Sequence, residues 1–188
     1  MFTIDQQIVS WFNGLFGGNG WGTIILVVVS LLITILCAGL IGFEREYHGH
    51  AAGLRTHLLV AIGSALIMTI SLYGFPAFFS SATRDPARLA AQVVSGIGFL
   101  GAGTIIQTGT DVKGLTTATT LWLAMAIGLA AGSGNFIIVI IATVLAFISL
   151  VSLRKIEKLA SRRNPIIRIV VPSERPILKE IHLVANHY

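Results

Sequence analysis

The chain contains a single cysteine, five prolines and only 11% charged residues in 188 positions. One cysteine rules out an intramolecular disulfide and any metal site built on paired thiolates. Lying in an apolar run, Cys37 is expected to pack as a small hydrophobe. A soluble domain carries about 25% charged residues, so a water-exposed surface cannot be built here and a soluble enzyme is excluded. A Walker loop, a redox pair and a nucleophile set beside a base are missing too. No residue is therefore a candidate for catalysis, and no enzyme is expected.

Apolar residues fill the chain instead: they make up 54% of it, and the mean hydropathy is +0.84. That content suffices for about five membrane-spanning helices of about 20 residues. Five apolar stretches run over 22–43, 57–79, 88–107, 116–132 and 135–153. None has a charge in its middle, where one would cost about 2.5–3.5 kcal/mol on insertion scales. Ahead of them, Ile4, Ile8, Trp11, Phe12, Leu15 and Phe16 recur at helical spacing, the pattern of an amphipathic helix lying in the membrane interface. A glycine- and asparagine-rich hinge follows it and ends at Gly20.

The fold class is thus an all-α polytopic membrane protein. Residues 1–20 form the interfacial helix and hinge, and 21–153 a five-helix transmembrane domain. Residues 154–188 form a basic juxtamembrane segment and a short, incomplete βα cytoplasmic tail, with a strand over 166–171, a turn at Pro172 and Ser173, and a helix over 177–186. One strand with one helix cannot close a core, so the tail is either the start of a longer domain or a piece that pairs with a second copy.

Charge sets the orientation. Residues 1–153 carry five basic and five acidic side chains, whereas 154–188 carry eight and three. Arg154, Lys155, Lys158, Arg162 and Arg163 follow the last span, which places the C-terminus in the cytoplasm by the positive-inside rule. Five spans then put the N-terminus outside. Arg45, Arg55 and Lys113 fall inside, and Arg84 and Arg88 outside beside Asp85. The pI near 9.9 has this topological origin, and no nucleic-acid partner is expected.

Four segments carry polar chemistry or unusual packing. The third span reads AQVVSGIGFLGAG, with a literal GxGxxG at Gly96, Gly98 and Gly101. A dinucleotide site needs that pattern in a turn between strand and helix; inside an apolar span it reads as close packing. Ala91, Ser95, Gly98 and Ala102 share one helix face that would admit a neighbouring backbone, with Gly96, Gly101 and Gly103 beside it. A helix broken at these glycines to line a cavity is the other reading.

Just before that span, Asp85 stands at an N-cap position and Pro86 at N1. Arg88 and Gln92 lie a turn apart and with Asp85 form either a capped helix start or a polar stripe into the bundle. The link GFEREYHGHAAGLRTH brings Glu44 and Glu46 to the side of Asp111. These three acids are either a hard-cation site, since Mg²⁺ takes one or two carboxylates plus waters, or neutralisers of Arg45, Arg55 and Lys113. The histidines of this link lack a compact transition-metal spacing. In the fourth span, Thr116, Thr117, Thr119 and Thr120 either cap the helix and bond across helices or touch a hydrated ion.

The strings GFERE, GLRTH, DPARLAAQVVSGIGFLGAG and VKGLTTATTLW, in this order and at fitting separations, resemble the MgtC/SapB family of bacterial inner-membrane proteins over about Gly39 to Gly134. The resemblance implies a five-span bundle with a cytoplasmic, often ACT-like, C-terminal domain. It also implies a link to growth at low magnesium and, in some pathogens, to survival in macrophages. Some members resemble regulators of other membrane proteins, including the F-type ATP synthase. The expected function is therefore magnesium homeostasis by a regulator in the bacterial inner membrane, with divalent-cation transport as the alternative. The bilayer and a second copy of the chain, as a homodimer, are its expected partners, and Mg²⁺ is the only ligand suggested.

Overall fold

The computed structural model describes residues 21–74 and 85–161, together with Gln7, Ser10, Trp11, Gly14 and Leu15, which are all helical. The rest of the expected interfacial helix, and the expected strand, turn and helix of the tail, lie outside the described residues. By internal contacts the chain divides into one unit ending at Leu150 and another beginning at Val151. The packing below is that of the first.

The described residues are mostly helical: α1 Trp21–Tyr47, α2 Leu54–Tyr73, α3 Ala87–Thr104, α4 Leu115–Gly132 and α5 Phe136–Ser161, with a hairpin of β1 Ile106–Thr108 and β2 Asp111–Lys113 between α3 and α4. Turn chemistry sets the boundaries. α1 stops where Gly49 takes φ +70°, so that Gly49 N–H donates to the Glu46 carbonyl and His50 N–H to that of Arg45, the Schellman arrangement. The same pattern ends α4, with Gly134 at φ +79° and Asn135 N–H bonded to the Ala130 carbonyl at 3.0 Å. α3 starts one residue later than expected, with Pro86 rather than Asp85 at the N-cap, though the Asp85 Oδ1 does accept from Ala87 N–H at 2.9 Å. Ser71 at the end of α2 donates to the Pro86 carbonyl at 2.7 Å, which ties these two helix ends together.

The helix expected to run to residue 107 ends instead at Thr104, because Ile105 turns extended and the chain enters the hairpin. β1 and β2 pair antiparallel, Ile106 with Lys113 and Thr108 with Asp111. Ile105, Ile106, Thr108, Thr110 and Val112 are β-branched and favour extended backbone, and Gly109 at φ +62° closes the turn.

Large apolar side chains face outward: Leu36, Phe99 and Leu145 are 72%, 85% and 62% exposed. Inside lie Ser30, Thr34, Ser64, Thr69 and Thr143. Four of these hydroxyls donate to carbonyls four residues earlier, which satisfies them without leaving the helix. This inversion of the soluble pattern suits hydrocarbon surroundings. α1, α2, α4 and α5 are long and apolar enough to cross a membrane. By that measure α3 is not a fifth, since Arg88, Gln92 and four glycines dilute its 18 residues.

α4 is the central helix. Ala38, Ala61 and Ala124 meet as a cluster of small side chains from α1, α2 and α4, and Ile41, Ile127, Ala131 and Val139 join α1, α4 and α5. Half-buried Cys37 packs against that second cluster. The closest approach is between α4 and α2. A Cβ on Gly128 would run into the Ala61 carbonyl oxygen, and one on Gly132 would lie 3.0 Å from Met68 Cβ.

Candidate functional site

The polar chemistry of the bundle gathers at one end, where the last turns of α1 meet the first turns of α2 and α4. Glu44 and Arg45 are only 5% and 4% exposed, and His57 is fully buried. Gly42 makes this possible: a Cβ there would stand 2.9 Å from His57 Cβ and from the Leu54 backbone. The missing side chain lets α2 press onto α1 and carries His57 inward.

Arg45 reaches α4, its Nη2 donating to Thr117 Oγ1 at 3.5 Å, while its Nη1 lies 4.0 Å from Glu44 Oε2. The other carboxyl oxygen of Glu44 is 2.9 Å from His48 Nδ1, which is also 2.8 Å from the Glu44 carbonyl. Both of these partners are acceptors, so His48 carries its proton on Nδ1. His57 Nδ1 lies 2.8 Å from the Gly53 carbonyl oxygen and its Nε2 3.1 Å from Thr120 Oγ1. One acid, one guanidinium, two imidazoles and two hydroxyls thus bind three helices. Buried polar groups joined in this way fix helix register, since breaking one bond strands a desolvated partner.

The three acids expected to meet do not converge. Glu44 engages Arg45 and His48, Glu46 Oε2 accepts from Leu54 N–H at 2.8 Å and so caps α2, and Asp111 is exposed on β2. Among the described residues no three His, Cys, Asp or Glu side chains group as a metal ion would require. Arg55 and Lys113 are exposed, and Arg45 alone of these three basic residues is buried.

On α3, Ile97 is the buried residue, with Val93, Gly101 and Thr104 half-buried on the same face. Arg88, Ala91, Gln92, Ser95, Gly98, Ala102 and Gly103 are exposed. The small-residue face thus points away from the fold: a Cβ on Gly96, Gly98 or Gly103 would meet nothing within 4 Å, and one on Gly101 only Ala118 Cβ at 3.7 Å. α3 remains an unbroken helix through these glycines. Beside it an apolar cleft of about 410 Å³ opens between α2 and α3, lined in part by Leu59, Gly63, Ile67, Val93, Gly96 and Leu100. No charged side chain lines the cleft, and Ser64 is its one polar side chain.

Sequence reasoning passed over two features. His57 and Thr120 were legible as a helix-start histidine in GLRTH and as one of two threonines three residues apart, but nothing local said that they meet. The close-packing glycines are Gly128 and Gly132, a GxxxG in the fourth span that carries the ordinary signal of close helix approach.

The architecture and this buried cluster define a multi-pass helical membrane protein whose polar groups are turned inward at one end. Residues 31–159 match the MgtC family, and the chain belongs to that family. It is 46% identical over 111 residues to the "Putative magnesium transporter YhiD" of Escherichia coli K12, which covers 58% of this chain and 52% of that protein. It is 40% identical over 152 residues to "Protein MgtC" of Salmonella typhi, covering 81% and 62%, and 44% identical over 124 residues to that of Brucella abortus, covering 66% and 50%. The matched region thus spans roughly half to three fifths of these relatives' length. No solved structure gives a significant match.

Proposed function

We infer that the chain is a membrane-embedded regulator of other membrane proteins in magnesium homeostasis, acting in the bacterial inner membrane. The observation that carries this reading is the outward face of α3. Arg88, Gln92 and Ser95 stand there exposed among Ala91, Gly98 and Ala102, and polar side chains have poor company in lipid. A second helix, from another copy or from a partner, would cover them and use the small residues for close approach. In this reading α3 is the fifth span, held among four more apolar helices, with the N-terminus outside and the C-terminus cytoplasmic. The chain works as a homodimer or beside a target such as the F-type ATP synthase. The interior supports a non-conducting role, since its charged groups are engaged within the bundle: Arg45 with Thr117 and Glu44, and Glu44 with His48.

Transport of a divalent cation is the second reading, favoured by the printed name of the Escherichia coli relative and by the buried carboxyl of Glu44 at the inner end. Mg²⁺ flux into sealed liposomes separates the two. The regulatory reading expects no flux above empty liposomes, and crosslinks to a protein from a photoreactive residue at position 92 in native membranes. Flux above empty liposomes that is abolished by Glu44→Gln would overturn it.

A further inference from the structure

His57 has no exposed surface, yet its ring lies in a network that can be completed in two ways. Nδ1 is 2.8 Å from the Gly53 carbonyl oxygen, which can only accept, so Nδ1 carries a proton. Nε2 is 3.1 Å from Thr120 Oγ1. That hydroxyl has one proton and a second acceptor in reach, the Thr117 carbonyl oxygen at 2.9 Å. With a neutral ring, Thr120 donates its proton to Nε2. With a charged ring, Nε2–H donates to Thr120 Oγ1 and the hydroxyl swings its own proton to the Thr117 carbonyl. Both arrangements leave the ring satisfied, and no heavy atom has to move between them.

We propose that His57 is a buried proton-binding site and that the Thr120 hydroxyl is its reversible partner, accepting from the charged ring and donating to the neutral one. The ligand is a single proton, and its binding places a new positive charge in the seam where α1, α2 and α4 meet. On α1 the charged groups at this level are Glu44, Arg45 and Glu46, whose carboxylate accepts from Leu54 N–H at the start of α2; His48 sits on Glu44, and Arg45 is bonded to Thr117, one turn from Thr120. α4 contributes no ionisable side chain. On α2 itself Arg55 is exposed, and Arg88, the one charged residue of α3, stands at that helix's other end. Protonation therefore sets imidazolium and guanidinium together in one buried cluster with Glu44 as the acid.

The test is ¹⁵N NMR of the full chain, labelled at histidine and held in lipid nanodiscs, since the two ring nitrogens report their protons separately. The signal lost in His57→Gln assigns this ring among the five histidines. Nδ1 is expected to stay protonated from pH 8 to pH 5 while Nε2 passes from bare to protonated. Thr120→Ser keeps the hydroxyl and should keep this step. Thr120→Val should lose it, leaving Nε2 bare over the whole range, and Thr120→Ala serves in its place if valine disturbs folding. An Nε2 that holds one state throughout in the native protein, a bare Nδ1, or a titration unchanged by removal of the hydroxyl would each overturn the proposal.

Discussion

Replacing Gly128 by alanine adds one methyl group at the tightest point of the bundle. Its Cβ would collide with the Ala61 carbonyl oxygen and lie 2.9 Å from the Ala61 carbonyl carbon and 3.0 Å from Ser64 Cβ. The first two obstacles are backbone, so no rotamer change relieves them, and α2 and α4 must move apart. Overpacking of this kind costs about 1–3 kcal/mol, with the upper end expected where backbone must yield. Alanine in a helix regains about 1 kcal/mol over glycine, which leaves a net loss of about 2 kcal/mol. Gly98→Ala is the matched control. A Cβ there meets nothing within 4 Å, so only the propensity gain of up to about 1 kcal/mol remains. Equilibrium unfolding in mixed micelles, followed by helical circular dichroism, should separate the two variants by about 3 kcal/mol, or roughly a hundredfold in the folding constant. A Gly128→Ala protein as stable as Gly98→Ala would refute the reasoning, because it would mean that the α2–α4 seam is not close-packed.

Removing the acceptor at the start of α2, in Glu46→Ala, should cost about 1 kcal/mol as lost caps do, while Glu46→Gln retains most of it; equal losses in the same unfolding assay would show that the bond to Leu54 N–H contributes little. Asp85→Ala should cost a similar amount through the lost bond to Ala87 N–H, read as amide exchange quickened first at the start of α3. Arg45→Met leaves the Glu44 carboxyl buried without its guanidinium and should cost about 3 kcal/mol or more, with part recovered in the Glu44→Gln, Arg45→Met double variant; strict additivity would show that the two side chains do not interact. Gln92→Leu should leave unfolding of the isolated chain within about 0.5 kcal/mol, as surface changes do, while removing crosslinks to a neighbour in native membranes.

Four helices were legible because each is a long, nearly uncharged run bounded by glycine or by charge, and the expected limits differ from the observed ones by up to eight residues. The clearest departure is at 105–113. The apolar run of the third span continues through Ile105 and Ile106, so hydropathy alone extends the helix, but branching at Cβ and the glycines at 109 and 114 turn the chain into a hairpin. A run of apolar residues shows what can be buried and says little about backbone conformation when it is short.

The site was less legible for a different reason. Glu44 and Glu46 on one link and Asp111 on another were read either as a shared cation site or as neutralisers of nearby basic residues, yet Glu46 found the free N–H of Leu54 and Glu44 its own helix neighbours Arg45 and His48. Local satisfaction outcompetes assembly of a shared site, since an exposed helix end offers a donor at no cost in chain ordering. His57 illustrates the converse. It is buried through a contact 63 residues away along the chain, which depends on Gly42 bringing α1 and α2 together and on α4 arriving beside them.

On α3 the two spacings compete within one sequence. Small residues occupy nearly every face of this helix, so a packing stripe can be drawn through several of them, and Ala91, Ser95, Gly98 and Ala102 make one good stripe. Two branched residues go inward while Val94, Phe99 and Leu100 stay exposed. Val93 and Ile97 lie a turn apart on the inward face, and with that face inward Arg88, Gln92 and Ser95 stand outward. The same rotation that completes the core therefore creates the exposed polar face, and a variant that improves the outward face for lipid should leave the inward packing as it is. In the proposed reading, partner contact falls to α3, whereas stability rests on the close packing of α4.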